Sequence, residues 1–377
     1  MLHFSFRAFR EIVFVPFVLL LISPAAASNP LPVQAKKPPI EGFHFSHKDW
    51  EVACDNTRTC RAAGYQAEMD DRSVSVLLTR TAGPGTPVTG QITFGDFQFD
   101  ALAGELLRQY GESAMVELRI NNKSYGRFKM ESRTLEAVLP PNHVKALLKA
   151  LLRDSVIEWI LDEQHRWVLS DDGAAAVLIK MDEFQGRLHT PGALARKGNR
   201  KENTVYPPRH APVIHKVALP PTRADDLRLV QDKPAELIDA LRATVDYDTC
   251  SILMDRATKD IELTIIRLSV DRLLVASPCW LGAYNFGSGV WVINDIPPYN
   301  PEMVFDGASD VLPDGDIVAS HKGRGFGDCW SSSRHTWNGT EFVPSSQSST
   351  GMCRSFVGGA WNFPTRVTDV RPAPGNY

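Results

Sequence analysis

The residues of this 377-residue chain best suited to chemistry are six cysteines, a scatter of aspartates, two loose histidine pairs and a serine run beside a histidine. The cysteines are Cys54, Cys60, Cys250, Cys279, Cys329 and Cys353. No two of them form Cys-x-x-Cys, which argues against a thioredoxin-like redox site and a zinc ribbon. His44 with His47, and His210 with His215, lack further ligands at a standard metal spacing and read as surface histidines. Ser331-Ser332-Ser333 with His335 contains parts of a nucleophilic site, yet no Gly-x-Ser-x-Gly elbow holds a serine in a strained, exposed turn. Gly323-Arg324-Gly325-Phe326-Gly327 has the glycines of a phosphate loop without its Gly-Lys-Ser/Thr ending, and reads as a turn leading into a disulfide. Glycosidic cleavage needs two carboxyls about 5–9 Å apart across a cleft. Asp55, Asp70, Asp71, Asp255, Asp306, Asp310 and Asp328 supply carboxyls, but Asp is also an ordinary turn residue. Asp55, beside Cys54, is expected to brace a small disulfide loop. No catalytic, cofactor or metal-ligating residue is assigned, and no cofactor is expected.

Aromatic residues offer a different chemistry. Five of the eight tryptophans, Trp280, Trp291, Trp330, Trp337 and Trp361, lie late in the chain with Tyr284, Phe326 and Phe342. Flat rings on a β platform stack on sugars or peptides at low entropic cost. The competing use is core filling, with Trp packed against disulfides, and that reading is favoured. Trp330, Trp337 and Trp361 are the candidates for an exposed binding face.

The elements that must position these groups follow from periodicity. Strand-like alternation marks Ser73–Arg80, Val88–Phe94 and Ala114–Ile120, and Asn121-Asn122-Lys123 turns the last into Ser124–Met130 as a hairpin. Apolar residues at i, i+3, i+4 and i+7 predict a helix over Pro141–Asp154, with Asn142 placed to cap it. A second helix is predicted from Gly173 to Gln185, with short strands Val156–Leu161 and Trp167–Leu169 between. Later, a helix near Pro234–Ala243 precedes strands at Ile261–Leu268, Leu273–Ser277, Val290–Ile293, Asp316–Ala319 and Arg334–Trp337. The class is mainly β with a few helices (α+β).

Residues 1–27 have the build of a cleavable signal peptide. Arg7 and Arg10 precede an apolar run from Ile12 to Ile22, and Ala25-Ala26-Ala27 supplies the small residues for cleavage. At about 1.5 Å per residue the run is too short to span roughly 30 Å of hydrocarbon. Export brings an oxidising compartment, and an even cysteine count then reads as disulfides. The local pairing Cys54–Cys60, Cys250–Cys279, Cys329–Cys353 is favoured among the possibilities because it keeps each bridge within one domain. A net charge of −3 provides no field for nucleic acid or an anionic membrane, and no later segment is long and apolar enough to anchor the chain. The division expected is a spacer at 28–43, a β-sandwich-like domain with two helices at 44–188, a Pro-rich linker at 189–232 and an antiparallel β, disulfide-bonded domain at 233–377. The linker is either flexible or laid across a domain surface.

Trp50-Glu51-Val52-Ala53-Cys54-Asp55-Asn56 with Cys60-Arg61-Ala62-Ala63-Gly64-Tyr65 resembles the bacterial envelope proteins of domain-of-unknown-function family 1176. The same pattern continues in Met181-Asp182-Glu183-Phe184-Gln185-Gly186-Arg187 with Thr190, in Gly323 to Cys329, and in Cys353-Arg354 and Trp361. The N-terminal half is similar, more distantly, to the invasion-associated locus B proteins, which implies a sandwich-like domain. Neither resemblance supplies a reaction or binding residues. The expectation is an exported periplasmic protein, non-enzymatic, that binds another envelope protein or a glycan or is structural. The alternative is a periplasmic hydrolase acting on a cell-wall or saccharide substrate.

Overall fold

The computed structural model describes residues 41–95, 102–257 and 261–374. The signal segment 1–27 and all but the last residues of the spacer 28–43 lie outside them. Residues 40–377 form one compact unit. It is mostly β, with short helices between antiparallel sheets, as the alternation in sequence indicates.

The first half contains β1 (Phe43–His47), β2 (Trp50–Cys54), β3 (Cys60–Tyr65), β4 (Val74–Arg80), β5 (Thr89–Phe94), α1 (Leu102–Arg108), β6 (Ser113–Ile120), β7 (Lys123–Glu131) and β8 (Glu136–Val138). It continues with α2 (Pro141–Ala150), β9 (Ile157–Ile160), β10 (Arg166–Leu169) and α3 (Ala174–Phe184). Strands β1-β2-β3-β4-β5-β8 make one sheet and β10-β9-β6-β7 another. Val52, Val76 and Ile92 of the first and Val116, Leu118 and Trp159 of the second share one core with Leu147 of α2 and Val177 of α3. The hairpin β6–β7 turns at Asn121 and Asn122, both at positive φ (49° and 63°), which asparagine tolerates better than most residues.

Capping differs from the sequence expectation. Asn142 lies inside α2, whose N-cap is Pro140. Gly173 caps α3 at φ 96°, where a Cβ would stand 1.9 Å from the carbonyl oxygen of His47. Only glycine fits that approach.

The second half holds β11 (Val213–Lys216), α4 (Ala224–Asp232), α5 (Ala235–Arg242), α6 (Ser251–Met254), β12 (Thr264–Arg267), β13 (Arg272–Leu281), β14 (Phe286–Asn294) and β15 (Glu302–Ala308). There follow β16 (Asp310–Val311), β17 (Ile317–Lys322), β18 (Trp330–Trp337), β19 (Phe342–Ser349), β20 (Phe363–Arg366) and β21 (Asp369–Pro372). Two antiparallel sheets, β12-β13-β14-β15 and β16-β17-β18-β19-β20, carry the bulk of it. Leu274, Val290, Ala308, Ile317 and Trp337 form an apolar cluster drawn from both. Within 189–232, β11 pairs in parallel with β21, so the chain's penultimate segment lies beside the Pro-rich stretch. No helix among the described residues is long and apolar enough to cross a membrane.

Candidate binding groove

The six cysteines stand as three pairs at bonding distance, Cys54–Cys60, Cys250–Cys279 and Cys329–Cys353. Each bridge fixes a piece of local architecture. Asp55 Oδ1 accepts from the amides of Thr57 (2.9 Å) and Thr59 (3.2 Å), and Arg61 closes on its other oxygen at 3.0 Å. That carboxylate braces the loop closed by Cys54–Cys60, and it is buried.

The residues that carry the family resemblance are structural in the same sense. Gln185, Arg187 and Thr190 are wholly buried. Arg187 donates to the carbonyl of Gly83 (2.7 Å) and to Thr86 Oγ1 (2.6 Å), and Gln185 Nε2 donates to the carbonyls of Arg58 (2.9 Å) and Arg80 (2.8 Å). Burial, with Arg80 adding repulsion, pushes the Arg187 guanidinium down to about 10. Burial likewise pushes the Asp182 carboxyl up, against the amides of Ala195 and Leu194 that favour its charge. A second group stitches the segment around Cys353 to the first sheet. Buried Glu51 accepts from Tyr65 Oη (2.5 Å), the amide of Met352 (2.7 Å) and His44 (2.8 Å). Arg354 pairs with Asp49 at 2.7 Å, and Trp361 Nε1 donates to Ser75 Oγ at 2.7 Å.

These placements sort the sequence candidates. Trp337 is 5 % exposed and packs in the core against Ile317 and Phe342, so its assignment to a binding face is corrected: the ring fills the space between two sheets. Trp361 is half-buried against Phe356 and Phe363. Trp330 is half-buried, with its Nε1 on the carbonyl of Gly327 (2.9 Å) and Lys322 above its ring. The three do not make one face. Gly323–Gly327 forms the expected turn, closed by Arg324 on Asp328, and leads into Cys329. Asp328, Cys329 and Cys353 come within ligand distance of one another, but the two sulfurs are joined and are not thiolates. His335 is half-buried against Phe305, and burial pushes its imidazole down, with Arg366 contributing. Ser332 hydrogen-bonds Ser348 across the strands at 2.9 Å. His210 and His215 are exposed, as are Asp70, Asp71, Asp255 and Asp306.

The site with the most recognition chemistry lies where the cluster between the two later sheets gives out. Beyond Ala276 a groove of about 420 Å³ opens, walled by β12–β14 on one side and Ser309–Val311 on the other. Two local features shape it. A bulge in β13 between Pro278 and Trp280 shifts the register against β14, which re-aims the chain at the groove's end. Beside it, the Cys250–Cys279 bridge ties α6 to β13, and Ile252 of α6 joins the lining. Trp280 lies across Gly287, where a Cβ would come within 2.3 Å of its ring, and His321 meets it at 5.6 Å between centroids. Asn285 exchanges hydrogen bonds of 2.9 Å with the backbone of Lys322, pinning the β13–β14 turn to β17.

The lining combines three kinds of group. Phe286 and Leu281, cross-strand neighbours at the end of the β13–β14 hairpin, are 50 % and 78 % exposed. Thr264, Ser288 and Ser309 offer hydroxyls, and Glu262 and Asp310 offer exposed carboxylates. Neither carboxylate has an ion-pair partner among the described residues, and no Lys or Arg among them lines the groove. Sequence reasoning named Asp310 and Trp280 but missed Glu262, Leu281 and Phe286. The available signal was the pair of apolar residues flanking the turn at 282–285, where polar ones are the rule.

A family model described as "Protein of unknown function (DUF1176)" matches residues 44–368. The chain is also similar to "Uncharacterized protein YpfG" of Escherichia coli (strain K12), at 23% identity over 314 residues, covering 78% of this chain and 84% of the relative. No solved structure matches it.

Proposed function

Since the chain belongs to the DUF1176 family of proteins of unknown function, we propose from its own geometry that it is a non-enzymatic binding protein of the bacterial envelope. On this reading it is exported to the periplasm with removal of residues 1–27, and it holds an envelope protein or glycan in the groove between Glu262, Phe286 and Asp310. One observation carries it: a preformed groove presents exposed apolar side chains beside two carboxylates without ion-pair partners among the described residues. Open, mostly apolar concavities with a few polar groups are the usual ground for recognition. The three disulfides suit an oxidising compartment. The division at 189–232 into two domains, and the likeness of the first to the invasion-associated locus B proteins, belong to the same proposal.

The test uses Phe286→Ser and Leu281→Ser. Both side chains are substantially exposed, so melting temperature should stay within a degree or two of the parent while retention on washed envelope fragments falls. Retention equal to the parent in both variants removes the groove from the account. The hydrolase alternative is favoured by one feature, two carboxylates on one groove. Release of soluble sugar from cell-wall material by the parent, abolished in Asp310→Asn, would select it instead.

A further inference from the structure

We propose that Cys329–Cys353 is an exchangeable cross-link: a dithiol reductant opens it ahead of the other two bridges, and its opening releases residues 350–362 from the first sheet. The inference stands apart from the groove and does not need it.

Access sets this bridge apart. Cys54, Cys60, Cys250 and Cys279 are 0 % exposed and Cys329 is 3 % exposed, whereas Cys353 is half-buried. Thiol–disulfide exchange needs a thiolate to reach one sulfur of the pair, so a bridge with both residues enclosed is closed to it until the fold opens. Attack at Cys353 Sγ forms a bond to the incoming sulfur and breaks the bond to Cys329. The electron pair leaves on Cys329, which takes up a proton. The reductant's second thiol then displaces Cys353 as its own disulfide closes, so two electrons and two protons pass to the protein. The charge beside the departing thiolate is compensated. Asp328 brings a carboxylate oxygen within 4.8 Å of both sulfurs, but Arg324 holds that carboxylate through Nε (2.7 Å) and through Nη2.

What the bridge holds gives its opening a consequence. Residues 350–362 connect β19 to β20 without regular secondary structure, and they cross onto the first sheet. Met352 donates its amide to buried Glu51 (2.7 Å), and Arg354 pairs with Asp49 (2.7 Å). The carbonyl of Arg354 accepts from Gln66 Nε2 (3.1 Å), and Trp361 Nε1 donates to Ser75 Oγ (2.7 Å). Phe356 packs in one apolar cluster with Tyr65 and Leu77. On its other side the segment is tied to the β17–β18 connection. The amide of Thr350 donates to the carbonyl of Trp330 (2.8 Å), that of Ser355 to Asp328 (2.7 Å) and that of Gly358 to the carbonyl of Gly327 (3.0 Å). The disulfide is the covalent tie among these single hydrogen bonds. Once it is cut, nothing covalent shortens the chain path between positions 24 residues apart, and local opening of the segment becomes easier.

The experiment titrates the mature full-length chain with dithiothreitol under native conditions, alkylates the freed thiols and maps them by mass spectrometry. Hydrogen exchange is then measured on the singly reduced protein. Label is expected at Cys329 and Cys353 while Cys54–Cys60 and Cys250–Cys279 remain joined. Exchange over 350–362 should rise roughly tenfold or more, with 114–130, in the other sheet of the first half, unchanged. Cys329→Ser/Cys353→Ser should show the same rise with no reductant; should that variant fail to fold, the titration of the parent decides alone. Reduction of another bridge first, or of all three together with global unfolding, overturns the inference. So does selective reduction of Cys329–Cys353 that leaves exchange over 350–362 as it was, since the bridge would then hold nothing in place.

Discussion

Replacing Arg267 with Met should destabilise the protein by about 3–5 kcal/mol, the usual cost of leaving one partner of a buried ion pair uncompensated. Arg267 and Asp226 are 2 % and 1 % exposed, and the guanidinium meets the carboxylate through Nε at 3.0 Å and through Nη2. It also donates to the carbonyls of Ser269 (3.2 Å) and Val270 (2.9 Å) and to Asp295 (3.1 Å). This pair clamps α4 to β12, whose Thr264 lines the groove. At about 1.4 °C per kcal/mol for a chain of roughly 350 residues, the loss appears as a fall of about 4–7 °C in melting temperature. The double variant Arg267→Met/Asp226→Leu removes the stranded charge and should recover most of it. Recovery stops short because Asp226 also accepts from the amide of Arg223 (2.8 Å), a cap whose loss costs about 1 kcal/mol. Urea denaturation of parent, single and double variants measures each step. A single variant within about 1 kcal/mol of the parent, or a double variant no better than the single, refutes the reasoning.

Three further outcomes follow from named residues. Trp337→Ala should cost about 3–5 kcal/mol in urea denaturation, since the ring is buried between two sheets, and it should not alter ligand retention under folding conditions. Burial pushes the Asp328 carboxyl up, but Arg324 and the amide of Ser355 outweigh it and hold the carboxyl below its ordinary value. Its contribution is therefore present above the unfolded value of about 3.9 and disappears as pH falls below it, so Asp328→Asn should flatten the acid limb of a melting-temperature profile. Intact-mass measurement of the protein released by osmotic shock should give a chain starting near Ser28, with residues 1–27 removed.

What was legible in the sequence was whatever repeats locally. The apolar spacing over Val144, Leu147 and Leu151 located α2, and the alternation over 114–120 with its Asn-Asn turn located the β6–β7 hairpin. The disulfide loop braced by Asp55 was readable because cause and effect lie within six residues. Strands such as β19, with Ser-Ser-Gln-Ser-Ser along its length, carry no apolar pattern, and they form because neighbouring strands pair with them. α4 sits in a basic, Pro-rich stretch whose composition hides it, and its anchor, Arg267, lies 41 residues away. The groove was out of reach for the same reason. Glu262, Phe286 and Asp310 belong to three segments that only sheet topology brings together. Trp337 was a candidate for a binding face although core filling was the favoured use of these rings, and its register on β18 places it in the core.

The central claim is that the groove is the surface this protein uses. Hydrogen exchange of the mature chain, with and without washed envelope fragments, tests it most directly. Slowed exchange is expected only in peptides covering 261–266, 276–288 and 309–311. Slowing elsewhere, with these three segments unchanged, would contradict it.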